Sequence, residues 1–294
     1  MEIKYLKHNQ IDKQKWDSVI ENSKNALVYA LSWYLDIVSP NWGALVYGDY
    51  EMIMPLPVKK KYGLKYLTQP PFCQQLGVFY KEKNKAVSST DFIKSIPSKY
   101  KLIHLNLNFD PELNCTERSN FELNLSTQYD EIKSNYSTNT KRNINKAKKQ
   151  DLHIVENMSP LEVWRLKKNN PVNNLSAWHY KKLLSVLEIA EKTGIGKSYG
   201  VLNLKNELLS VVYLLNYKNR LTFLVSSSNE EGKEKSSMFL LIDWILQKNA
   251  GSKEIFDFEG GSINNMARFF SGFGSTPVKY YHYKQNRLIW PLNQ

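Results

Sequence analysis

The sequence predicts an α+β protein in which a mixed, mostly antiparallel sheet is flanked by helices, and in which that plan occurs twice. Three observations predict it. A chain of 294 residues is long for one core and divides naturally into two domains of about 130 to 160 residues. Hydrophobic periodicity switches from helical to strand-like at Trp42 and again after Gly194, which mixes both element types in each half. The order of elements in the second half also repeats that of the first, although no exact sequence repeat is present.

The first half opens with a short strand, "EIKYL". The Trp16, Val19 and Ile20 spacing then predicts a helix, and "ALVYALSWYLDIV" a second, very apolar one. From Trp42 to Tyr80 the chain reads as a meander of paired strands, interrupted at Gly48-Asp49, at Lys59 to Gly63 and at Pro70-Pro71. "DFIKSI" reads as a short helix, and "YKLIHLNLNF" and "SNFELNL" as strands. The second half begins with a basic amphipathic stretch and the strand "LHIV". Helices follow in "LEVWRLKKN" and "SAWHYKKLLSVLEIAEKTG", where Trp178, Leu183, Val186, Leu187 and Ala190 share a face. Next come the strands "YGVLNL", "ELLSVVYLLNY" and "RLTFLVSSS", a polar loop, the helix "MFLLIDWILQKNAG" with Gly251 as its terminator, and the strand "EIFDF".

Composition narrows the function classes. Hydrophobic residues at 42% and aromatics at 13% exclude a disordered chain. No apolar run approaches the roughly 18 residues of a membrane span, and the N-terminus lacks the apolar stretch of a secretory signal. With two cysteines, Cys73 and Cys115, the expectation is a cytoplasmic protein. Five scattered histidines show no metal-ligand spacing, so no metal is expected. The net charge of +12 points to anionic partners: nucleic acid, membrane headgroups, or substrates and cofactors that carry phosphate.

Four stretches carry candidate chemistry. "GIGKS", Gly194 to Ser198, has Glu191 where a phosphate loop needs its first glycine, and follows a helix rather than a strand. It reads as a helix stop and a turn. "SSSNEEGKEKSS" places a polar, glycine-containing loop between a strand and a helix, an anion-gripping arrangement to which Lys233, Lys235, Ser236 and Ser237 would contribute. Glu230, Glu231 and Glu234 oppose such a grip, and a solvated, serine-capped loop is the plainer reading. "NTKRNINKAKK" sets Lys141, Arg142 and Lys146 on one basic helix, either a solvated face or the border of a cleft. In "FDFEGGSINNMARFFSGFG" the alternation puts Phe256 and Phe258 on one strand face and Asp257 and Glu259 on the other. A carboxylate on a cleft-facing strand can act as general base. Gly260 and Gly261 permit positive φ or close backbone approach, and Met266, Phe269, Phe270 and Phe273 would pack the following helix.

Taken in order, Tyr136, Arg142, Ile144, Ala147 and Lys149, followed downstream by "FDFEGG…FFSGFG", resemble the FemABX-like branch of the GNAT N-acyltransferases. The resemblance covers Tyr129 to Gly274, and the first half by element order alone. It implies two tandem GNAT-like domains, residues 1–128 and 129–275, with residues 276–294 returning to complete the first sheet. It also implies transfer of an acyl or aminoacyl group to an amine acceptor, for instance a cell-envelope precursor, with no bound cofactor and with acyl-CoA or aminoacyl-tRNA as co-substrate. Two positions depart from the pattern. In tRNA-dependent members a lysine often stands at the place of Phe270, and the GNAT pyrophosphate loop survives here only as Gly232.

On this reading Glu259 is the first candidate for general base and Asp257 the second. Lys141, Arg142 and Lys146 would contact the anionic donor, and Tyr213, Phe223, Phe270 and Phe273 would shape the pocket beside Gly260 and Gly261. Peripheral contact with a membrane and binding of tRNA both stay open, as does the oligomeric state. The alternative is a binding module on a degenerate GNAT fold that recognises an anionic glycan, lipid headgroup or protein without catalysis.

Overall fold

The computed structural model describes residues 2–82, 87–171, 175–261 and 264–288. The chain divides into two compact units, Met1–Arg118 with Lys279–Gln294, and Ser119–Val278.

In the first unit β1 (Ile3–Leu6) precedes α1 (Lys13–Asn22). Asp12 caps this helix by accepting from the backbone N–H groups of Gln14 and Lys15, and Trp16 and Ile20 are its buried face. After α2 (Ser32–Val38), the strands β2 (Gly43–Tyr47) and β3 (Met52–Leu56) pair antiparallel, and with β1 and β6 (Phe79–Tyr80) form a four-stranded sheet in the order β1-β2-β3-β6. A second group contains the hairpin β4 (Val58–Lys61) and β5 (Leu64–Thr68), then β7 (Leu102–Leu107), which lies parallel to β5. Here β14 (Thr276–Asn286) pairs antiparallel with β7, from Tyr281 opposite Leu107 to Asn286 opposite Leu102. The helix α3 (Ser89–Lys94) buries Phe92 and Ile93 in this unit's core.

The second unit is a sheet ordered β8-β13-β12-β11-β10-β9, made of β8 (Cys115–Asn124, which enters the unit at Ser119), β9 (His153–Glu156), β10 (Gly196–Leu202), β11 (Leu208–Tyr217), β12 (Arg220–Ser228) and β13 (Ile255–Asp257). Its helices are α4 (Tyr129–Ser134), α5 (Thr138–Lys148), α6 (Pro160–Asn169), α7 (Ala177–Lys192), α8 (Glu230–Glu234), α9 (Ser237–Asn249) and α10 (Asn264–Ser271). Start signals in the sequence act locally. Ser159 and Glu162 form a reciprocal capping box with Pro160 at the first turn of α6. Pairing is antiparallel throughout this sheet except between β12 and β13, which the helical crossover α8–α9 makes parallel.

Several elements differ from expectation. "ALVYALSWYLDIV" is not one helix: Leu31 is extended (ψ 142) and separates a 3-10 turn at Val28–Ala30 from α2. The lysines of "KKKYG" do not interrupt the meander but form β4, and the turn is confined to Tyr62 and Gly63, both at positive φ. Trp178 is 42% exposed, and Tyr180 takes its place on the buried face of α7. Met266 is 40% exposed, so it is not part of the packing that Phe270 and Phe273 provide. "GIGKS" does end α7, but Gly196 to Ser198 already belong to β10. A side chain at Gly196 would lie 2.0 Å from the Tyr213 hydroxyl, which donates to the Leu187 carbonyl at 2.8 Å. That glycine makes room for a buried hydrogen bond. The part of the expectation that concerns residues 289–294 lies outside the described residues.

Candidate active site

Parallel pairing of β12 with β13 runs from Arg220 opposite Ile255 to Thr222 opposite Asp257. β13 then stops, while β12 continues to Ser228. Where parallel strands end and neighbours part, side chains and main chain are presented to a ligand rather than to another strand. Glu259 stands at this place.

The alternation expected for "FDFEGG" breaks at the strand end. Glu259 adopts φ +52, in the left-handed region, and Gly260 and Gly261 follow at φ +131 and +136, values that glycine tolerates and side chains resist. Asp257 and Glu259 therefore do not share a face, and their surroundings differ in kind. Asp257 is 1% exposed. Its Oδ2 lies 2.7 Å from Arg220 Nη1, and its Oδ1 accepts from Asn120 Nδ2 at 2.7 Å and from the Glu259 backbone N–H at 2.9 Å. The Asn120 Oδ1 accepts in turn from the Gly260 N–H at 3.1 Å. Arg220 Nη1 also reaches Glu122 Oε1 at 2.7 Å. Burial opposes the Arg220 charge, but Asp257 and Glu122 outweigh it and hold its pKa above the ordinary arginine value. Asp257 is thus occupied as an anchor, and what it anchors is the turn that carries Glu259.

Glu259 has the opposite environment. The residue keeps intermediate exposure, yet its carboxyl is desolvated, and this pushes its pKa up to about 8. A carboxyl in that range is a stronger base than an ordinary glutamate and changes charge near neutral pH. Aromatic rings pack around the neighbouring Phe258. Phe258 lies 4.9 Å from Phe270 and 6.1 Å from Phe273, and Phe223 lies 6.2 Å from both Phe258 and Phe270.

Phe223, Phe270 and Phe273 are all buried members of the unit's core, and Tyr213 is buried at the α7 contact described above. They back the Glu259 turn rather than stand open beside it. The start of α5 joins this region: Tyr136 packs edge-on against Phe273 at 5.4 Å, and the Ser137 N–H donates to the Gly272 carbonyl at 2.9 Å. On α5, Arg142 and Lys146 are exposed, with the Arg142 Nη2 on Asn139 Oδ1 at 3.0 Å, whereas Lys141 folds back to the Ser134 carbonyl at 2.9 Å.

The loop residues are engaged with one another. Lys233 pairs with Glu230 at 2.6 Å and Lys235 with Glu231 at 2.7 Å. Ser237 is buried, donating to the Gly232 carbonyl at 2.9 Å and sharing a 2.6 Å hydrogen bond with Ser210. Ser236, at φ +56, donates to Asn143 Oδ1 on α5 at 2.9 Å. The stretch is a short helix and a turn fixed to α5.

Three polar residues of the site escape a reading of the sequence: Asn120, Glu122 and Arg220. The signal for the first two is the i, i+2 spacing in "NFELN", which puts two polar groups on one face of a strand. Arg220 carries none. Lys167 on α6 is half-buried, donates to the Ser226 carbonyl at 3.0 Å beside the part of β12 beyond β13, and has its pKa lowered by desolvation. Among the described residues no cluster of metal-ligating side chains occurs.

No family model matches the sequence, and no curated protein matches it either. Solved structures do. FemX superposes with a TM-score of 0.67 at 10% identity, covering 98% of each chain. The C-terminal domain of a putative lysylphosphatidylglycerol synthetase from Agrobacterium fabrum gives 0.57 at 11% identity, covering 94% of this chain and 92% of that one. L-PGS from Bacillus licheniformis gives 0.57 at 7% identity over 96% and 94%. At such identities the likeness is one of fold alone: over nearly its whole length this chain has the fold of FemX, the fold that the sequence resemblance to the FemABX-like branch implied.

Proposed function

We propose that the protein is an N-acyltransferase whose reaction takes place at the Glu259 turn. An amine acceptor arrives as its ammonium form, and the Glu259 carboxylate takes one proton. The freed lone pair attacks the carbonyl carbon of an activated acyl or aminoacyl donor. The tetrahedral adduct then collapses with loss of the donor's thiolate or alkoxide, which leaves with a proton. Catalysis of this kind needs a base matched to the working pH and a fixed approach geometry. The single observation that carries the reading is a carboxyl with a raised pKa, held by Asp257 and Asn120 in a left-handed turn where β12 and β13 part.

In this proposal Arg142 and Lys146 meet the anionic donor, acyl-CoA or aminoacyl-tRNA, which acts as co-substrate with no resident cofactor. Lys167 is a cation held beside the free end of β12. The two compact units, Met1–Arg118 with Lys279–Gln294 and Ser119–Val278, are in this proposal tandem GNAT-like domains, divided earlier in the chain than the boundary expected after residue 128. A cell-envelope acceptor agrees with one structural neighbour, the putative lysylphosphatidylglycerol synthetase, whose product is a membrane lipid.

Two observations favour the binding module instead. The cations of the α8–α9 stretch are paired with its own glutamates, and Phe270 is a core residue rather than a lysine at the reacting centre. The test is acyl transfer from each donor to amine acceptors as a function of pH. Under the enzyme reading kcat/KM rises with pH through about 8, and Glu259→Gln lowers it by about 10²- to 10⁴-fold and removes that limb. Unchanged turnover in the variant would take Glu259 out of the base role. Absence of transfer by the wild-type protein from either donor would favour the module.

A further inference from the structure

The β4–β5 hairpin has a composition and exposure that its own unit does not explain. Its tip is a two-residue turn with Tyr62 and Gly63 at φ +49 and +80, the left-handed geometry that matches strand twist in a tight hairpin. The turn lifts Tyr62 to 91% exposure, and Leu64 beside it is 45% exposed. Lys61 stands opposite Leu64, and Lys60 stands opposite Lys65. Two like charges facing each other across a ladder repel and weaken the pair. No acid occurs between Val58 and Thr68. Among the described residues no carboxylate lies within ion-pair distance of Lys60, Lys61 or Lys65. The side of the hairpin that carries Lys61, Leu64 and Tyr66 borders a shallow hollow of about 260 Å³, together with Lys101 and Leu102.

We propose that this hairpin is a docking element for an anionic lipid bilayer, with Tyr62 and Leu64 entering the headgroup boundary and Lys60, Lys61, Lys65 and Lys101 contacting acidic headgroups. Long lysine stems lie along apolar surface while their ammonium groups reach the charged layer, and a tyrosine ring favours the same boundary. β4 is the edge strand of its group, and edge lysines discourage unwanted strand pairing. That role accounts for the lysines, yet it leaves two apolar side chains raised at the tip without a purpose. Single-stranded nucleic acid would use the lysines and stack on Tyr62, but Leu64 offers a base no stacking surface. A bilayer uses all of these groups, and the proposal does not rest on the acyl-transfer reading.

The experiment is co-sedimentation of the full-length protein with phosphatidylcholine vesicles, with or without about 30% phosphatidylglycerol, at low and high salt. Partitioning is expected only onto the anionic vesicles, and should weaken as salt screens the lysines. Tyr62→Ser combined with Leu64→Ser should lower it about tenfold. Alanine at Lys60, Lys61 and Lys65 together should lower it by about fivefold per lysine. Because every substituted side chain is exposed, an unchanged circular dichroism spectrum and Tm will show that the variants fold. The proposal is overturned if wild-type protein ignores anionic vesicles or if both variants bind as wild type does. It is equally overturned if the substitutions abolish binding to tRNA while leaving vesicle binding intact.

Discussion

Glu259 sits where its charge is unfavourable, and this ties stability to pH. Its folded pKa of about 8 lies above the ordinary value of 4.5, so between these limits the unfolded chain holds fewer protons than the folded one. The stabilisation from the protonated carboxyl is complete below the unfolded pKa and is lost as pH rises toward 8. Glu259→Gln keeps the shape and removes the titration. It should therefore raise Tm over wild type by a margin that grows from pH 5 upward, reaching on the order of 5 °C near pH 8.5. A margin that does not vary with pH would show that the carboxyl is not desolvated in solution. Asp257 is instead held by Arg220 and Asn120, and losing one partner of such a buried pair costs about 3 to 5 kcal/mol. Two acids that look equivalent in "FDFEG" thus have separate roles, one building the turn and one placed at its exposed end.

At the scale of elements, the turn between β13 and α10 is a backbone device. Gly261 has φ +136, and a Cβ there would lie 2.5 Å from the Phe121 ring, so strain and collision act together. Gly261→Ala should destabilise the second unit by about 2 kcal/mol and weaken the hold on Glu259, visible as a lower unfolding midpoint in urea. An unchanged midpoint would mean that the turn relaxes freely. Much of this level was legible in the sequence. The strand, the paired glycines and the aromatic helix were each marked by periodicity and punctuation. The place where the strand stops was not, because alternation continues in the letters through Glu259 while the hydrogen bonds of Asn120 and Asp257 end it in space.

For the whole molecule, the two units depend on chain segments far apart in sequence. The first is completed by β14, whose Tyr283 joins its core and whose backbone pairs with β7. Deleting residues 279–294 should strip amide protection from β7 in hydrogen exchange while β10 to β12 stay protected; persistent protection of β7 would contradict that dependence. The sequence by itself determined the α+β class, many of the strands and helices, the basic charge and the resemblance that FemX confirms in fold, because these follow from local periodicity and short-range signals. It also marked Glu259 as a candidate. Only the tertiary structure decided that Asp257 is an anchor, that the phenylalanines back the turn from within the core, and that Lys233, Lys235, Ser236 and Ser237 bind their own neighbours. The reason is physical: a side chain's availability depends on what packs against it, and here Asn120 and Arg220 come from strands distant in sequence to occupy Asp257.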